Sequence, residues 1–248
     1  MKKILWLSFI VIPLLLSIHA CISSHDYSQT YTIVINRLEV GKEIVSEKTD
    51  LKGDLVCLSE EERDTYGSKE KKRRTTRTKM VFEEGKQFPV SYSYESNSGT
   101  SYELKVEGGQ IVRTIQNKEE SRESIAPLEP GMVMLDLNAF HTIDFWIRKY
   151  DVKKGGRQVI QTYLLPAGST EKLSVIPADI SIPEHETEAL QLKNYEIEMG
   201  EGMAIILWVD KDNRLYRLYF RGPNLEVIRS DLYERLAAKE KDIKREKP

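Results

Sequence analysis

The chain has 248 residues, of which 40% are hydrophobic and 31% are charged, with 37 Lys and Arg against 39 Asp and Glu. The formal net charge of −2 leaves no basic surplus, which argues against a nucleic-acid partner. The length is sufficient for one domain with a sizeable core.

The first 16 residues have the pattern of an export signal. Lys2 and Lys3 precede an apolar stretch over 4–16, which suits the hydrophobic region of a secretory signal peptide. This stretch is shorter than the roughly 20 residues that a membrane-spanning helix needs. We therefore expect export, with a signal peptide over residues 1–20.

The residues around Cys21 resemble a bacterial lipoprotein signal. Ile18 and Ala20 fit that pattern, although His19 stands where a small residue is usual. The resemblance implies cleavage before Cys21, attachment of a diacylglyceryl group to its sulfur and, since Ile22 is not Asp, sorting to an outer membrane facing the periplasm. A single acyl chain binds membranes only marginally, so two chains suit a stable anchor. Ordinary secretion and an uncleaved anchor are the alternatives.

Cys57 is the second of two cysteines and lies in the apolar segment DLVCLS. If Cys21 is acylated, Cys57 has no partner and is expected to behave as a small buried hydrophobe. A disulfide between the two cysteines, or a reactive thiol, is the alternative.

The first half of the chain reads as strands with alternating polarity. We expect a tether over 21–30, then two strands that turn near Gly41, and a short strand at DLVCL. The basic run KEKKRR follows the acidic run EEERD, which indicates a solvated hairpin tip; an anion- or lipid-binding patch is the alternative.

Gly108 and Gly109 predict a tight hairpin, because primed turns require positive φ. Residues 117–131 form a polar break with two prolines, interpreted as a hinge between two halves of one sheet. We expect a helix or turn over 134–142, followed by a strand that ends at Val152.

The remaining segments predict a meander of strands. Turns are expected at 153–156 and at DKDN, residues 210–213. The single β domain is expected to span 31–230. Residues 231–248 are expected to form a C-terminal helix and a charged tail.

No motif in the sequence indicates catalysis, a cofactor or a metal. After signal cleavage the histidines are His25, His141 and His185, and the segment EHE supplies a single imidazole. The sequence has no G-x-S-x-G motif, and no serine has a base close in sequence. We therefore expect a protein that is not an enzyme.

Large aromatic side chains suggest a hydrophobic cavity instead. Trp146, Trp208, Tyr216 and Phe220 are the candidate lining residues on the concave face of a curved antiparallel sheet. Core packing explains each of them equally well.

The hairpin WVDKDNRLYRLYF followed by LEVIRS resembles the periplasmic lipoprotein-carrier proteins of the LolA and LolB type. YTIVINRLEVGKEI and WIRKYDVKKGGRQVIQTYLLPAG are similar to an uncharacterised family of exported envelope proteins thought to share that fold. The resemblance implies a mainly β fold, a strongly curved antiparallel half-barrel with one or two short helices and a C-terminal helix. No ligand residue is carried over.

Two functions follow as hypotheses. The first is a lipid-anchored protein of the cell envelope whose concave sheet binds an apolar ligand or a lipidated client. The second is a structural or interaction module with a packed interior and protein partners in the envelope.

Overall fold

The computed structural model describes residues 26–64, 72–118, 120–178, 192–200 and 202–246, with the backbone alone for 239–246. The predicted signal peptide and the first half of the tether, residues 21–25 with Cys21, lie outside these residues. None of the helices within the described ranges has the length and apolar character needed to cross a bilayer.

The fold is mainly β, with two helices among the described residues. Helix α1 spans His141–Ile147 and helix α2 spans Ser230–Glu246. The strands are β1 (Tyr27–Ile35), β2 (Leu38–Thr49), β3 (Leu55–Asp64), β4 (Arg73–Phe82), β5 (Ser91–Ser96), β6 (Ser101–Glu107), β7 (Gln110–Gln116), β8 (Ser121–Pro127), β9 (Val133–Asp136), β10 (Gln158–Leu165), β11 (Ser169–Pro177), β12 (Lys193–Glu198), β13 (Ala204–Val209), β14 (Leu215–Phe220) and β15 (Leu225–Arg229).

All fifteen strands belong to one sheet, in the order β8-β7-β6-β5-β4-β3-β2-β1-β15-β14-β13-β12-β11-β10-β9. Neighbouring strands are antiparallel except β9 and β10, which are parallel. The predicted curved antiparallel sheet is therefore confirmed, with one parallel pair at its end. The chain reaches that end through residues 128–132, which connect β8 at one edge to β9 at the other.

The sheet is rolled so that its two ends meet. Tyr92 and Tyr102 donate hydrogen bonds to Asp136 of β9 at 2.6 and 2.5 Å, although their strands lie at the opposite end of the sheet order. Arg113 of β7 donates a 2.5 Å hydrogen bond to the Pro166 carbonyl, next to β10. One continuous hydrophobic core fills the space between them.

Helix α1 lies inside the roll, and its position differs from the sequence prediction. The predicted helix or turn over 134–142 is right only for the turn at 137–140: β9 precedes this turn, α1 follows it, and the predicted strand to Val152 is wrong. All four residues of β9 are buried, so the segment lacks the alternation that marks a one-sided strand. Ile143, Trp146 and Ile147 have helical spacing and are buried together.

The first turn also differs from the prediction. The chain reverses at Asn36 and Arg37, which both have positive φ, and not near Gly41. Gly41 lies within β2, where the pairing with β1 shifts register. A Cβ at this position would lie 2.1 Å from the Glu62 carbonyl oxygen of β3, so glycine is needed here for close approach.

Other boundaries are corrected in the same way. β1 begins at Tyr27, earlier than the predicted domain start at residue 31. The polar break over 117–131 contains β8, an edge strand, and is therefore not a simple hinge. The hairpin at Gly108 and Gly109 is confirmed, as is the turn at 210–213, where Asp210 accepts backbone hydrogen bonds.

Candidate functional site

The structure does not bring the four candidate cavity residues together. Trp146 is fully buried in the core, and Phe220 packs half-buried against the same core. Trp208 and Tyr216 belong to a separate cluster with Leu192, Ile206 and Tyr219. The lipid-attachment residue Cys21 lies outside the described residues.

The separate cluster is covered by cationic side chains. The Arg217 guanidinium lies 4.9 Å from the Trp208 ring centroid, and the Arg229 guanidinium lies 3.9 Å from that of Tyr216. Such cation–π contacts stabilise aromatic rings near solvent. This surface is therefore already occupied by the protein's own side chains.

The interior of the roll contains a hydroxyl–imidazole–carboxylate relay that the sequence analysis missed. His141 Nδ1 lies 2.7 Å from Glu43 Oε1, and its Nε2 lies 3.2 Å from Thr78 Oγ1. Ser59 donates to the same Glu43 oxygen at 2.7 Å. The order of groups matches that of a nucleophile, base and orienting acid. However, His141 and Glu43 are each 1% exposed, so these two side chains are enclosed by the described residues.

Glu61 lies directly opposite Glu43 in the β2–β3 register and is also 1% exposed. Arg63 Nε lies 3.0 Å from a Glu61 oxygen but is not aligned for a hydrogen bond, and neither Glu61 oxygen accepts one from the described residues. Burial, together with the charge of Glu43, raises the pKa of Glu61 to about 7, against the lowering effect of the Arg63 charge. Glu61 is therefore a buried carboxyl group whose protonated form is favoured by its surroundings.

A second buried network attaches α1 to the sheet. Arg214 Nη2 lies 3.0 Å from Glu47 Oε2, and Arg148 Nη2 lies 3.0 Å from Glu47 Oε1. Asp144 accepts the Leu215 backbone N–H at 2.6 Å and contacts both guanidinium groups. Burial alone would raise the pKa of Glu47, but Arg214 and Arg148 hold it below its ordinary value. Two carboxylates and two guanidinium groups leave this network neutral.

Cys57 is buried, in accord with its expected role as a small hydrophobe, and is a free thiol within the part of the chain that the structure describes; Cys21, its alternative partner, lies outside that part. Burial and the nearby carboxylates of Glu47 and Glu43 raise the pKa of its thiol well above the ordinary value. A thiol that stays protonated is a poor nucleophile. Within the described ranges, no three His, Cys, Asp or Glu side chains are placed to hold a metal ion.

The candidate site is a cleft at one end of the roll, here called the first cleft. It has a volume of about 300 Å³ and an apolar floor formed by Leu55, Phe82, Val133 and Phe145. The Phe82 and Phe145 rings stack at 5.0 Å, and the Arg148 guanidinium lies 4.1 Å from the Phe145 centroid. Leu55 and Phe145 are only partly buried: Phe82 and Arg148 cover part of the Phe145 ring, and the remainder of both side chains contacts solvent.

A second cleft of about 480 Å³ adjoins the first. Its apolar lining comprises Phe88, Val90, Val106, Leu128 and Met132. The two clefts share the loop residues Glu83, Gly85, Lys86 and Gln87, here called the dividing loop.

The cleft residues come from β3, β4, α1, β9 and the loops between them, so no local motif marks the site. One signal was present in the sequence. The buried helical stripe of α1 contains Ile143, Trp146 and Ile147, and Phe145 falls outside that stripe. A large aromatic side chain away from the core-facing stripe indicates a contact beyond the core.

Comparisons with known proteins identify a structural likeness and no family. No protein-family model matches the chain, and no curated protein matches it. Among solved structures, the chain is similar to a beta-barrel-like protein of the domain of unknown function DUF1849 from Brucella abortus. The sequence identity is 9%, the likeness covers 82% of this chain and 94% of that chain, and the TM-score is 0.46.

Proposed function

We propose that this protein is a non-catalytic, lipid-anchored component of a bacterial cell envelope that binds an apolar ligand, or the lipid part of a client, in the first cleft. The observation that carries the proposal is the exposed part of Phe145 above a closed apolar floor. The relay at His141 supports a non-catalytic role, since it is buried on all sides.

The physical reason for an apolar ligand is the surface that the cleft leaves exposed. Phe82 and Val133 are already buried beneath the rim, while Leu55 and Phe145 still contact solvent. Covering such side chains gains about 25 cal/mol for each Å² of apolar surface removed from water. A volume near 300 Å³ is at the lower end of the range for ligand pockets, which suits a single hydrocarbon chain.

The site differs from the concave cavity expected from the sequence. Helix α1 occupies the inside of the roll, and Trp146 donates a 2.8 Å hydrogen bond to Thr162 of β10. A chain-like ligand would have to displace these side chains to enter the core. The end cleft needs no such displacement.

Lipid anchoring is proposed from the N-terminal sequence, with Cys21 as the attachment residue and the periplasmic face of an outer membrane as the location. The test is a Cys21→Ala variant expressed in the host. We expect the wild type to fractionate with membranes and the variant to be recovered without membranes. Membrane association of the variant, or a mass that shows an unmodified Cys21 in the wild type, would contradict the anchor.

The ligand proposal is tested with protein purified from its own host. Native mass spectrometry is expected to show a bound species of lipid-like mass. A Phe145→Ala variant should lose that species, whereas Leu58→Ala, on the exposed outer face of β3, should retain it. A wild type free of bound lipid, which also fails to bind added fatty acid, would contradict the proposal.

A second candidate function is an interaction module of the envelope. The open edge of β8 favours it, because most of its residues are exposed and Ile125 is 59% exposed. Unpaired edge strands can accept an extended segment of another protein. Co-purification of a protein partner that is lost in an Ile125→Pro variant, with no bound lipid, would favour this candidate.

A further inference from the structure

We propose that the ligand carries two acyl chains, one in each cleft, and that it straddles the dividing loop. This inference rests on the proposed function and specifies its ligand class. The two clefts are separate apolar spaces with one shared wall, and a ligand with two linked chains matches that division.

The floors of the two clefts are continuous. Met132 lines the second cleft and its neighbour Val133, the first residue of β9, lines the first. Both side chains are almost fully buried. The two clefts therefore lie side by side, joined by two consecutive residues of the chain and by the dividing loop that lines both.

The second cleft has the same character as the first. Val90, Val106 and Leu128 are half-buried, and Phe88 is buried and contacts the Tyr163 ring at 6.4 Å between centroids. The partly exposed aliphatic side chains would be covered by a hydrocarbon chain. Filling both clefts with hydrocarbon removes more apolar surface from water than filling one, so it binds the ligand more strongly.

The dividing loop itself is polar where a headgroup would lie. Glu83, Glu84, Lys86 and Gln87 are all exposed, and Lys149 contacts the Gln87 side chain. Gly85 has a φ of 73°, and a Cβ at this position would meet no atom within 4 Å. The loop therefore offers charged groups of both signs, next to open space, at the junction of the two apolar clefts.

Linkage between the chains favours one two-chain lipid over two single-chain lipids. Once the first chain is bound, the second cleft is reached at a high effective concentration set by the short glycerol linker. Two separate chains would each lose translational freedom on binding. We therefore expect a diacyl lipid to bind at least about tenfold more tightly than its lyso form.

The experiment compares dioleoyl phosphatidylglycerol, its one-chain lyso form and a diacylglyceryl lipopeptide, each titrated below its aggregation threshold. Binding to the purified protein is measured by tryptophan fluorescence and native mass spectrometry. The expected result is one diacyl molecule per protein, with the tenfold advantage stated above. Tighter binding of the lipopeptide would identify a lipoprotein client as the source of the chains. Tighter binding of the phospholipid would identify a membrane lipid as their source. Either result supports two-chain binding.

Variants that fill one cleft give the decisive comparison. Val106→Trp fills the second cleft and Leu55→Trp the first, and both positions are half-buried, so the folded state is checked by circular dichroism. If Val106→Trp does not fold, Leu128→Trp fills the same cleft in its place. Filling the second cleft should reduce diacyl affinity to the lyso level and leave lyso binding unchanged.

Two results are distinguishable. Equal affinities for the diacyl and lyso forms in the wild type, or diacyl binding unaffected by Val106→Trp in a folded variant, would overturn the two-chain inference alone. Absence of binding by every lipid would instead overturn the proposed function.

Discussion

Replacing Glu61 by Gln removes a carboxyl group that is buried in the core wall opposite Glu43. The charged groups that act on it are Arg63 and Arg74 at the neighbouring strand positions and His141 from α1, besides Glu43 itself. Its pKa is about 7 in the folded protein against 4.5 for an ordinary glutamate, and burial is the main cause.

The sign and size of the effect follow from proton linkage. The folded state binds this proton more tightly than the unfolded chain, so the stabilisation is complete below pH 4.5 and disappears as the pH rises through about 7. A difference of this size between the two states corresponds to about 3 kcal/mol. The wild type should therefore lose about 3 kcal/mol of unfolding free energy between about pH 4.5 and 8, relative to Glu61→Gln.

The assay is urea unfolding followed by circular dichroism at a series of pH values. The difference in unfolding free energy between the wild type and Glu61→Gln cancels the groups that both proteins share. Glu60→Gln is the matched control, because Glu60 is the neighbouring residue, half-exposed and paired with Arg77 on the outer face. This control measures the effect of the same Glu-to-Gln change at a half-exposed position of the same strand.

A wild-type minus Glu61→Gln difference that stays constant from pH 5 to 8 would show that Glu61 titrates as an ordinary carboxyl. A difference that increases with pH would show that its charged form is stabilised, in contradiction to the burial of its oxygens without a hydrogen bond from the described residues. Either result would refute the reasoning from burial.

Two further predictions concern close contacts. Gly168→Ala should destabilise the fold by roughly 0.5–1.5 kcal/mol more than Gly202→Ala in urea unfolding, the net contribution of one hydrogen bond. Both glycines have a φ of 74°, but only a Cβ at residue 168 would meet the Arg113 guanidinium, 2.0 Å away, which must then move from the Pro166 carbonyl. Equal losses would show that Arg113 moves aside freely. Arg214→Met should cost about 3–5 kcal/mol in unfolding free energy, because it leaves Glu47 buried with one guanidinium partner fewer. A loss below about 1 kcal/mol would show that this ion network contributes little.

The sequence predicted the sheet well because most strands alternate between core and solvent. β6 and β7 form one hairpin, and Gly108 and Gly109 have the positive φ values that the turn between these strands needs. β9 could not be recognised in this way, because it is buried on both faces and pairs in parallel with a strand that comes after α1. The sequence of β9 therefore shows no alternation of apolar and polar residues.

The site was less predictable than the fold. The sequence analysis predicted that Trp208 and Tyr216 line a cavity, but arginine side chains contact both rings. It did not predict Phe145 as a site residue. The end clefts exist because the rolled sheet brings β3, β4 and β9 to one end of α1. Long-range packing of this kind leaves no spacing pattern in the chain.

Photo-crosslinking with a diazirine-labelled fatty acid tests the proposed site most directly. After irradiation of the purified protein, mass spectrometry of the digest identifies the labelled residues. We expect labels at Leu55, Phe82 and Phe145, and their loss when unlabelled fatty acid is added in excess. Labels at Trp208 or Tyr216, or labelling that excess fatty acid does not reduce, would contradict binding in the end cleft.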